Sequence, residues 1–316
     1  MRWASKTAMD NNLDLNPLVR VWGQWSKNLA GGVLCVCLVL LTACTSPVLS
    51  NQVVFSVLSD PKTFNAVLSQ ESPNIFGYTY EGLLRENPLT GEKMPALAEK
   101  WAVSADDLTI TFTLRQGLRW SDGAPLTVED VLFSYQDLYL NPKIPNNYRD
   151  SLRIGKSQAF PIITQVNDRQ IAFQLPEPFA PFFDSAEMPI LPAHVLRRSV
   201  ETLDKNGNPL FLSTWGTDTP PEDIVVNGPY KLQRYVTSQR LIFEKNPYYW
   251  QTSPSGKPLP YIPRIIWAIV ESTDTSLLQF RSGSLDSLSV SPESFSLLKR
   301  EEDRGDFTIY NGGPAY

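Results

Sequence analysis

Side chains that commonly act as nucleophiles, redox groups or metal ligands are scarce in this sequence of 316 residues. The three cysteines, Cys35, Cys37 and Cys44, all lie in the first 44 residues, so the rest of the chain has no thiol and can form no internal disulfide. The only histidine is His194, whereas a catalytic zinc site normally uses two or three such ligands. The composition therefore excludes a redox or cysteine–metal enzyme, and we interpret His194 as a structural residue.

Other patterns that would support catalysis are incomplete. Ser255-Gly256-Lys257 would need a glycine at position 251 to form a phosphate-binding loop, and that position is a glutamine. Asp122 and Asp130 lie in a predicted turn and at a predicted helix start, where a carboxylate already has a local structural role. We therefore predict that the protein is not an enzyme, with no catalytic residue, no metal site and no cofactor.

A signal for export precedes Cys44. Basic residues are scattered over positions 1–28, and residues 29–43 are almost wholly apolar and end in small residues, an order that is typical of a secretory signal peptide. The apolar run is shorter than the roughly 20 residues of a permanent membrane span. Leu41-Thr42-Ala43-Cys44 also resembles the lipobox of bacterial lipoproteins, which implies that Cys44 carries lipid and becomes the mature N-terminus. The alternative is a buried helix whose cysteines only pack. Separately, the unusual length of the basic region is compatible with a true start at Met9.

The charge of the chain argues against a nucleic-acid partner. The whole sequence has a formal net charge of −5, and removal of residues 1–43 would bring it to about −7. No cluster of lysine and arginine remains in the exported part to attract nucleic acid. An acidic, thiol-free, exported chain favours soluble ligands outside the cytoplasm.

Strand and helix patterns alternate along the exported part, which predicts a mixed α/β protein. Residues 108–114 alternate apolar side chains with threonine, as in a strand with one buried face. Ser72-Pro73 predicts the start of a helix that runs to Leu84. The remaining predicted elements are a buried strand at 53–57, a helix from 127, hairpins at 165–175 and 230–243, a strand at 264–270, and helices at 274–283 and from 292.

Five stretches in the same order resemble the family 5 extracellular solute-binding proteins, the oligopeptide and dipeptide receptors of ABC importers. They are ITFTLRQGLRWSDGAPLTVEDVLFSYQDL at 110–138, YEGLL at 80–84, MPALAEKW at 94–101, NGPYKLQRYVTSQRLIFEKNPYYW at 227–250, and the segment 263–286 that ends in RSGSLD. The resemblance covers essentially all of residues 51–316.

The resemblance implies an α/β fold of the periplasmic-binding-protein-like type II class, a two-lobe clamp with mixed sheets. The implied parts are a signal peptide at 1–43, a lipid-anchored tether at 44–50, lobe I from 51–84 and 189–268, an inserted small subdomain at 85–188, and the start of lobe II at 269–316. Relatives continue through a second lobe, so we expect this chain to be a fragment with most of that lobe missing and with impaired binding.

The resemblance also implies the ligand and the partners. A peptide would be held between the lobes through its backbone, as an added strand, and taken up without chemical change. The partners would be the permease subunits of an ABC transporter and, through the lipid anchor, a membrane. The protein would be an extracytoplasmic monomer. A receptor for a nickel complex, haem or an oligosaccharide, and a signalling or structural lipoprotein of the same fold, stay open as alternatives.

The expected ligand-binding residues are carried over from the family by position. Gln70, Glu71 and Ser72 would face the cleft from lobe I, with Glu71 holding a peptide ammonium group. Tyr148 would overhang the cleft from the small subdomain and stack on a ligand side chain or cap it. Gly312-Gly313-Pro314 would lie on the hinge side of the second lobe.

Overall fold

The computed structural model describes residues 2–6, 51–69 and 75–311. The chain forms two compact units, of which the larger is Val54–Ser276 and the other combines Leu277–Tyr316 with Met1–Val53. Cys44 and nearly all of the predicted signal peptide and tether lie outside the described residues. Within the described part, no helix combines the length and apolar character that crossing a bilayer requires.

Helices are short and strands are numerous. The strands are β1 Arg2–Lys6, β2 Gln52–Val57, β3 Leu84–Glu86, β4 Lys93–Pro95, β5 Ala98–Val103, β6 Thr109–Leu114, β7 Ile162–Asn167, β8 Gln170–Gln174, β9 Tyr230–Val236, β10 Arg240–Lys245, β11 Arg264–Ile269, β12 Ser287–Val290 and β13 Phe307–Asn311. The α-helices are α1 Phe76–Thr79, α2 Val128–Leu132, α3 Tyr148–Ser151, α4 Phe182–Ser185, α5 Ala193–Glu201, α6 Thr273–Arg281 and α7 Pro292–Glu301. A π-helix, Phe133–Tyr139, continues α2, and 3-10 helices cover Leu210–Ser213 and Pro221–Asp223.

Two four-stranded sheets organise the larger unit. One has the order β5-β6-β8-β7 and the other β2-β11-β10-β9, while β3 and β4 form a separate ribbon. The alternating pattern of β6 places Ile110, Phe112 and Leu114 in the core, at most 2% exposed, as the sequence predicts. Phe112 lies opposite Ile171 of β8 and makes an edge-on contact with Phe173 at 5.6 Å between ring centroids. Both predicted hairpins and the mixed α/β class are confirmed.

Residues 110–138, one of the five stretches that carry the resemblance, mainly stabilise the fold through local hydrogen bonds. Thr127 accepts the Glu129 N–H at the start of α2, and Asp130 closes a capping box by accepting the Thr127 N–H at 2.8 Å. Asp130 also accepts the indole N–H of the fully buried Trp120 at 3.3 Å. The turn before α2 requires glycine at Gly123, whose φ is 89°. These contacts agree with the structural interpretation of the motif.

The predicted helix at 73–84 is wrong in its length. Between Ile75 and Leu84, the part of this range that the structure describes, the helix covers Phe76–Thr79, and the chain leaves it at Tyr80 in an extended conformation. The buried side chain of Asn227 accepts the Glu81 N–H at 2.7 Å and donates to the Glu81 carbonyl at 3.3 Å. The backbone groups of Glu81 are therefore bonded to this side chain and not to other turns of a helix. Gly82 then lies against the backbone of Glu187, where a Cβ would come within 2.5 Å. Tertiary contacts therefore override the local helical pattern.

The strand predicted at 53–57 is present as β2 but is only half-buried. Among the strands that the structure describes, it pairs only with β11, at the edge of its sheet. In the second compact unit, β1 pairs antiparallel with both β12 and β13. Residues 2–6 fall within the predicted signal peptide. The helix predicted from residue 292 is present as α7, and the Ser291 side chain caps it by accepting the Ser294 N–H. Phe280 packs on Phe307 with ring centroids 5.3 Å apart.

Candidate functional site

A cavity of about 770 Å³ lies within the larger unit. This volume is in the range of pockets that bind small molecules. Its aromatic lining consists of Phe76, Tyr80, Tyr148 and Phe179. The cavity therefore offers apolar ring surface, and the residues that hold this surface in place come from distant parts of the chain.

One wall of the cavity is the segment from Phe182 to Pro189, which has little regular structure beyond α4. The hydroxyl of Tyr135 donates to the Ser185 carbonyl at 2.7 Å, and that of Tyr139 donates to the Pro189 carbonyl. Both tyrosines are fully buried, so each hydroxyl also has its own hydrogen-bonding need satisfied. The π-helix thus supplies two anchors for this wall.

Another part of the cavity lining comes from α1 and the residue that follows it, Tyr80. The buried hydroxyl of Tyr80 donates to the Val225 carbonyl at 3.1 Å, and burial raises the pKa of this tyrosine above its ordinary value. The Gly228 N–H donates to the Thr79 carbonyl at 2.8 Å. A side chain at Gly228 would place its Cβ 2.6 Å from the carbonyl carbon of Thr79, so this close approach requires glycine.

Tyr148 is the one predicted ligand-binding residue that the structure describes, and it lines the cavity. Its ring packs on Tyr139 with centroids 4.8 Å apart. Burial raises the pKa of Tyr148, so its hydroxyl stays protonated near neutral pH and can donate a hydrogen bond. Its role towards a ligand stays a prediction.

The other predicted site residues lie outside the described residues. These are Gln70, Glu71, Ser72, Gly312, Gly313, Pro314 and the lipid-anchor residue Cys44. Segment 70–74 ends immediately before Ile75, and the next residue, Phe76, lines the cavity. Whether these residues share a site with Tyr148 stays a prediction.

Charged residues form a compact network beside the cavity. Lys93 Nζ lies 2.6 Å from Asp184 Oδ1, 2.7 Å from Glu187 Oε1 and 3.3 Å from Glu86 Oε2. Burial opposes the charge of Lys93, but hydrogen bonds to Asp184 and Glu187 outweigh it and raise the pKa of the ammonium group. Asp184 and Glu187 line the cavity. The sequence analysis missed this network, because nothing in the local pattern links position 93 to positions 184 and 187.

His194 and Asp122 form a separate contact. Nε2 of His194 lies 2.8 Å from Oδ2 of Asp122, and the imidazole lies 6.2 Å from the ring of Trp120. Burial disfavours the Asp122 anion, but hydrogen bonds from His194 and the Ala124 N–H outweigh burial and lower the pKa of Asp122. Within the described ranges, no three or more histidine, cysteine, aspartate or glutamate side chains are grouped to hold a metal ion.

Comparison with known proteins gives a consistent match. Residues 92–316 match the family described as bacterial extracellular solute-binding proteins, family 5 Middle. The chain is 36% identical over 235 residues to a probable ABC transporter-binding protein of Deinococcus radiodurans, covering 73% of this chain and 39% of the relative. It is 29% identical over 242 residues to the periplasmic oligopeptide-binding protein OppA of Salmonella typhimurium, covering 72% of this chain and 41% of the relative.

A solved structure shares the fold. The periplasmic binding protein MelB of Agrobacterium fabrum, determined in complex with stachyose, aligns with a TM-score of 0.69 and 23% identity, covering 79% of this chain and 39% of that chain. The chain therefore spans about two fifths of the length of the relatives it matches.

Proposed function

Because the chain belongs to family 5 of the bacterial extracellular solute-binding proteins, we propose that it takes part in binding peptides outside the cytoplasm for uptake by an ABC transporter. The observation that carries the proposal is the cavity of about 770 Å³, which lies within the larger unit and is lined by aromatic residues. Its size suits part of an extended peptide with its side chains. The peptide class is supported by the relative named as an oligopeptide-binding protein.

The arrangement supports binding without catalysis. The cavity presents ring faces and hydrogen-bonding groups, and its walls are held by buried hydroxyls that already have protein partners. Tyr148 would stack on a ligand side chain or donate a hydrogen bond to it, and Gln70, Glu71 and Ser72 would contact the ligand from the segment before α1. Gly312-Gly313-Pro314 would contact it from the second lobe. The peptide would leave chemically unchanged.

The proposal also covers location and assembly. Cys44 would carry diacylglycerol and anchor the mature chain to a membrane after removal of residues 1–43. The exported part would act as a monomer and present its ligand to permease subunits. The division into lobe I, the small subdomain at 85–188 and lobe II from residue 269 is part of the same proposal.

Peptide binding is tested by native mass spectrometry of the purified protein and by calorimetric titration with a mixed pool of tri- to pentapeptides. We expect added peptides to bind, with the impaired affinity that the family resemblance implies for this chain, and to be recovered intact. Tyr148→Ala should weaken binding about tenfold, because it removes a cavity ring that would contact the ligand. Tyr261→Ala is the matched control, since Tyr261 is 69% exposed and does not line the cavity.

Several outcomes would contradict the proposal. Binding of an oligosaccharide, a nickel complex or haem in place of peptide would reassign the ligand. Peptide cleavage that is lost on denaturation would indicate an enzyme. Equal effects of the Tyr148 and Tyr261 substitutions on peptide affinity would show that the cavity is not the peptide-binding site.

The lipid anchor is tested separately. Wild type and Cys44→Ala are expressed in a bacterial host with labelled palmitate, and label is expected only in the wild type. Equal labelling, or no labelling in either protein, would refute the anchor.

A further inference from the structure

The charged residues that line the cavity are mostly acidic. Among the described residues they are Asp150, Asp184 and Glu187, with Arg153 as the one cation of the lining. Arg153 Nε lies 3.1 Å from Asp150 Oδ1, so these two charges compensate each other. The charge balance of the wall therefore depends on Asp184 and Glu187.

The ammonium group of Lys93 forms ion pairs with three carboxylates at this wall. Lys93 is the shared partner of Asp184, Glu187 and Glu86, so the cluster carries two negative charges in excess. Lys93 does not itself line the cavity, and its side chain is 21% exposed. Asp184 is 71% exposed, so its carboxylate meets both the cavity and solvent. A positive group that enters the cavity would encounter an incompletely compensated wall.

The same cavity provides a second favourable surface for a cation. Phe76, Tyr80, Tyr148 and Phe179 place aromatic rings in its lining. Ring faces attract lysine and arginine side chains, and they also pack against the apolar stems of these residues. Acidic groups and aromatic rings in one cavity thus favour a side chain with an apolar stem and a cationic end.

Resting on the proposed function, we propose that this cavity selects peptides with a lysine or arginine side chain over peptides with a neutral or acidic one. Asp184 is the specificity-determining residue. Lys93 tunes the preference by neutralising part of the wall. Because Asp184 is largely exposed, water and salt screen its attraction, so the preference is modest and weakens as ionic strength rises.

The experiment uses alanine tetrapeptides in which one position carries lysine or acetyl-lysine, with the substituted position moved along the peptide. Acetylation removes the charge and keeps the apolar stem, and the terminal ammonium group is common to both members of each pair. Affinities are measured by calorimetry with the purified protein at low and high salt. We expect the lysine peptide to bind roughly three- to fivefold more tightly at one position at low salt, with a smaller ratio at high salt.

Two variants change the ratio in opposite directions. Asp184→Asn should bring it close to one, and Lys93→Met should increase it. Asp168→Asn is the matched control, because Asp168 lies in the β7–β8 hairpin and does not line the cavity, and it should leave the ratio unchanged. Should Lys93→Met fail to fold, Asp184→Asn decides the question alone.

The outcomes separate this inference from the proposed function. If lysine and acetyl-lysine peptides bind equally well at every position, charge selection is refuted and peptide binding stands. If the preference persists unchanged in Asp184→Asn, this wall is not its source and the inference is wrong. If no tetrapeptide binds, both proposals fall.

Discussion

Glu81 is a half-buried carboxylate whose replacement by glutamine should leave the protein as stable as the wild type, or more stable, at neutral pH. Its two oxygens accept the Tyr249 hydroxyl and the Trp250 indole N–H, each at 2.6 Å. Burial raises the pKa of Glu81, while these two hydrogen bonds and the nearby charges of Arg85 and Arg115 lower it. Burial is the larger effect, so the pKa of Glu81 lies above its usual value of 4.5.

The sign of the pH dependence follows from this direction. A carboxyl group with a raised pKa binds its proton more tightly in the folded chain than in the unfolded chain. The free energy of unfolding of the wild type therefore falls as the pH rises from about 4.5 through the folded pKa. Each unit between the two pKa values changes it by about 1.4 kcal/mol.

Glutamine has nearly the same shape as glutamate and does not titrate. At pH 4 the neutral carboxyl and the amide can make similar hydrogen bonds, so we expect the two proteins to differ by less than about 1 kcal/mol. At pH 7 the stability of Glu81→Gln relative to wild type should increase by about 1.4 kcal/mol for each unit of pKa elevation. Glu81→Gln should therefore be most stable relative to the wild type at the pH values at which Glu81 is ionised.

The assay is urea unfolding of wild type, Glu81→Gln and Glu222→Gln at pH 4 and pH 7. Glu222 is exposed, so its replacement reports the effect of removing a carboxylate from the surface. The quantity of interest is the change in relative stability between the two pH values, in which the other titrating groups cancel. A greater loss for Glu81→Gln at pH 7 than at pH 4 would refute the reasoning, because it would mean that the hydrogen bonds and arginines outweigh burial.

Three further substitutions test the packing around the site by thermal or urea unfolding. Tyr135→Phe removes the hydroxyl that donates to the Ser185 carbonyl and should cost about 1–2 kcal/mol; an unchanged midpoint would show that this anchor contributes nothing. Thr127→Ala removes the N-cap of α2 and should lower the free energy of unfolding by about 1 kcal/mol. If Thr127→Ser keeps the wild-type stability and Thr127→Val loses it, the hydroxyl is the cause, whereas equal stability of the two would contradict the capping role. Gly82→Ala would press a Cβ to 2.5 Å from the backbone of Glu187, so we expect a loss above about 2 kcal/mol, and wild-type stability would contradict the close approach.

Elements with a strong local pattern were predictable from the sequence. The apolar and threonine alternation of β6 gave the correct strand and the correct buried face, because a period of two leaves few alternatives. The capped start of α2 was also predicted, since Thr127 and Asp130 satisfy the helix end locally. The helix predicted to reach Leu84 failed because Asn227, far along the chain, takes the backbone groups of Glu81.

The candidate site was less predictable. Tyr148 was identified through family resemblance and lines the cavity, but the remaining predicted residues lie outside the part of the chain that the structure describes. The cavity wall at 182–189 has no periodic pattern, and its position depends on hydroxyls that come from residues 135 and 139. In the sequence, Tyr135 and Tyr139 have the helical spacing of aromatic core residues, and nothing in that pattern reveals the carbonyl groups to which their hydroxyls donate.

The π-helix at Phe133–Tyr139 makes the cavity sensitive to changes in chain length. Its wider turns hold more residues than an α-helix of the same height, as after the insertion of one residue into an ordinary helix. Deleting one residue, for example the exposed Gln136, would remove this extra residue and return the segment to α-helical spacing. Tyr135 and Tyr139 would then be three residues apart along the chain in place of four, so their hydroxyls would no longer both keep the directions in which they reach the Ser185 and Pro189 carbonyls. Over evolutionary time, gains and losses of a single codon here would therefore be selected against more strongly than most point substitutions in the same helix.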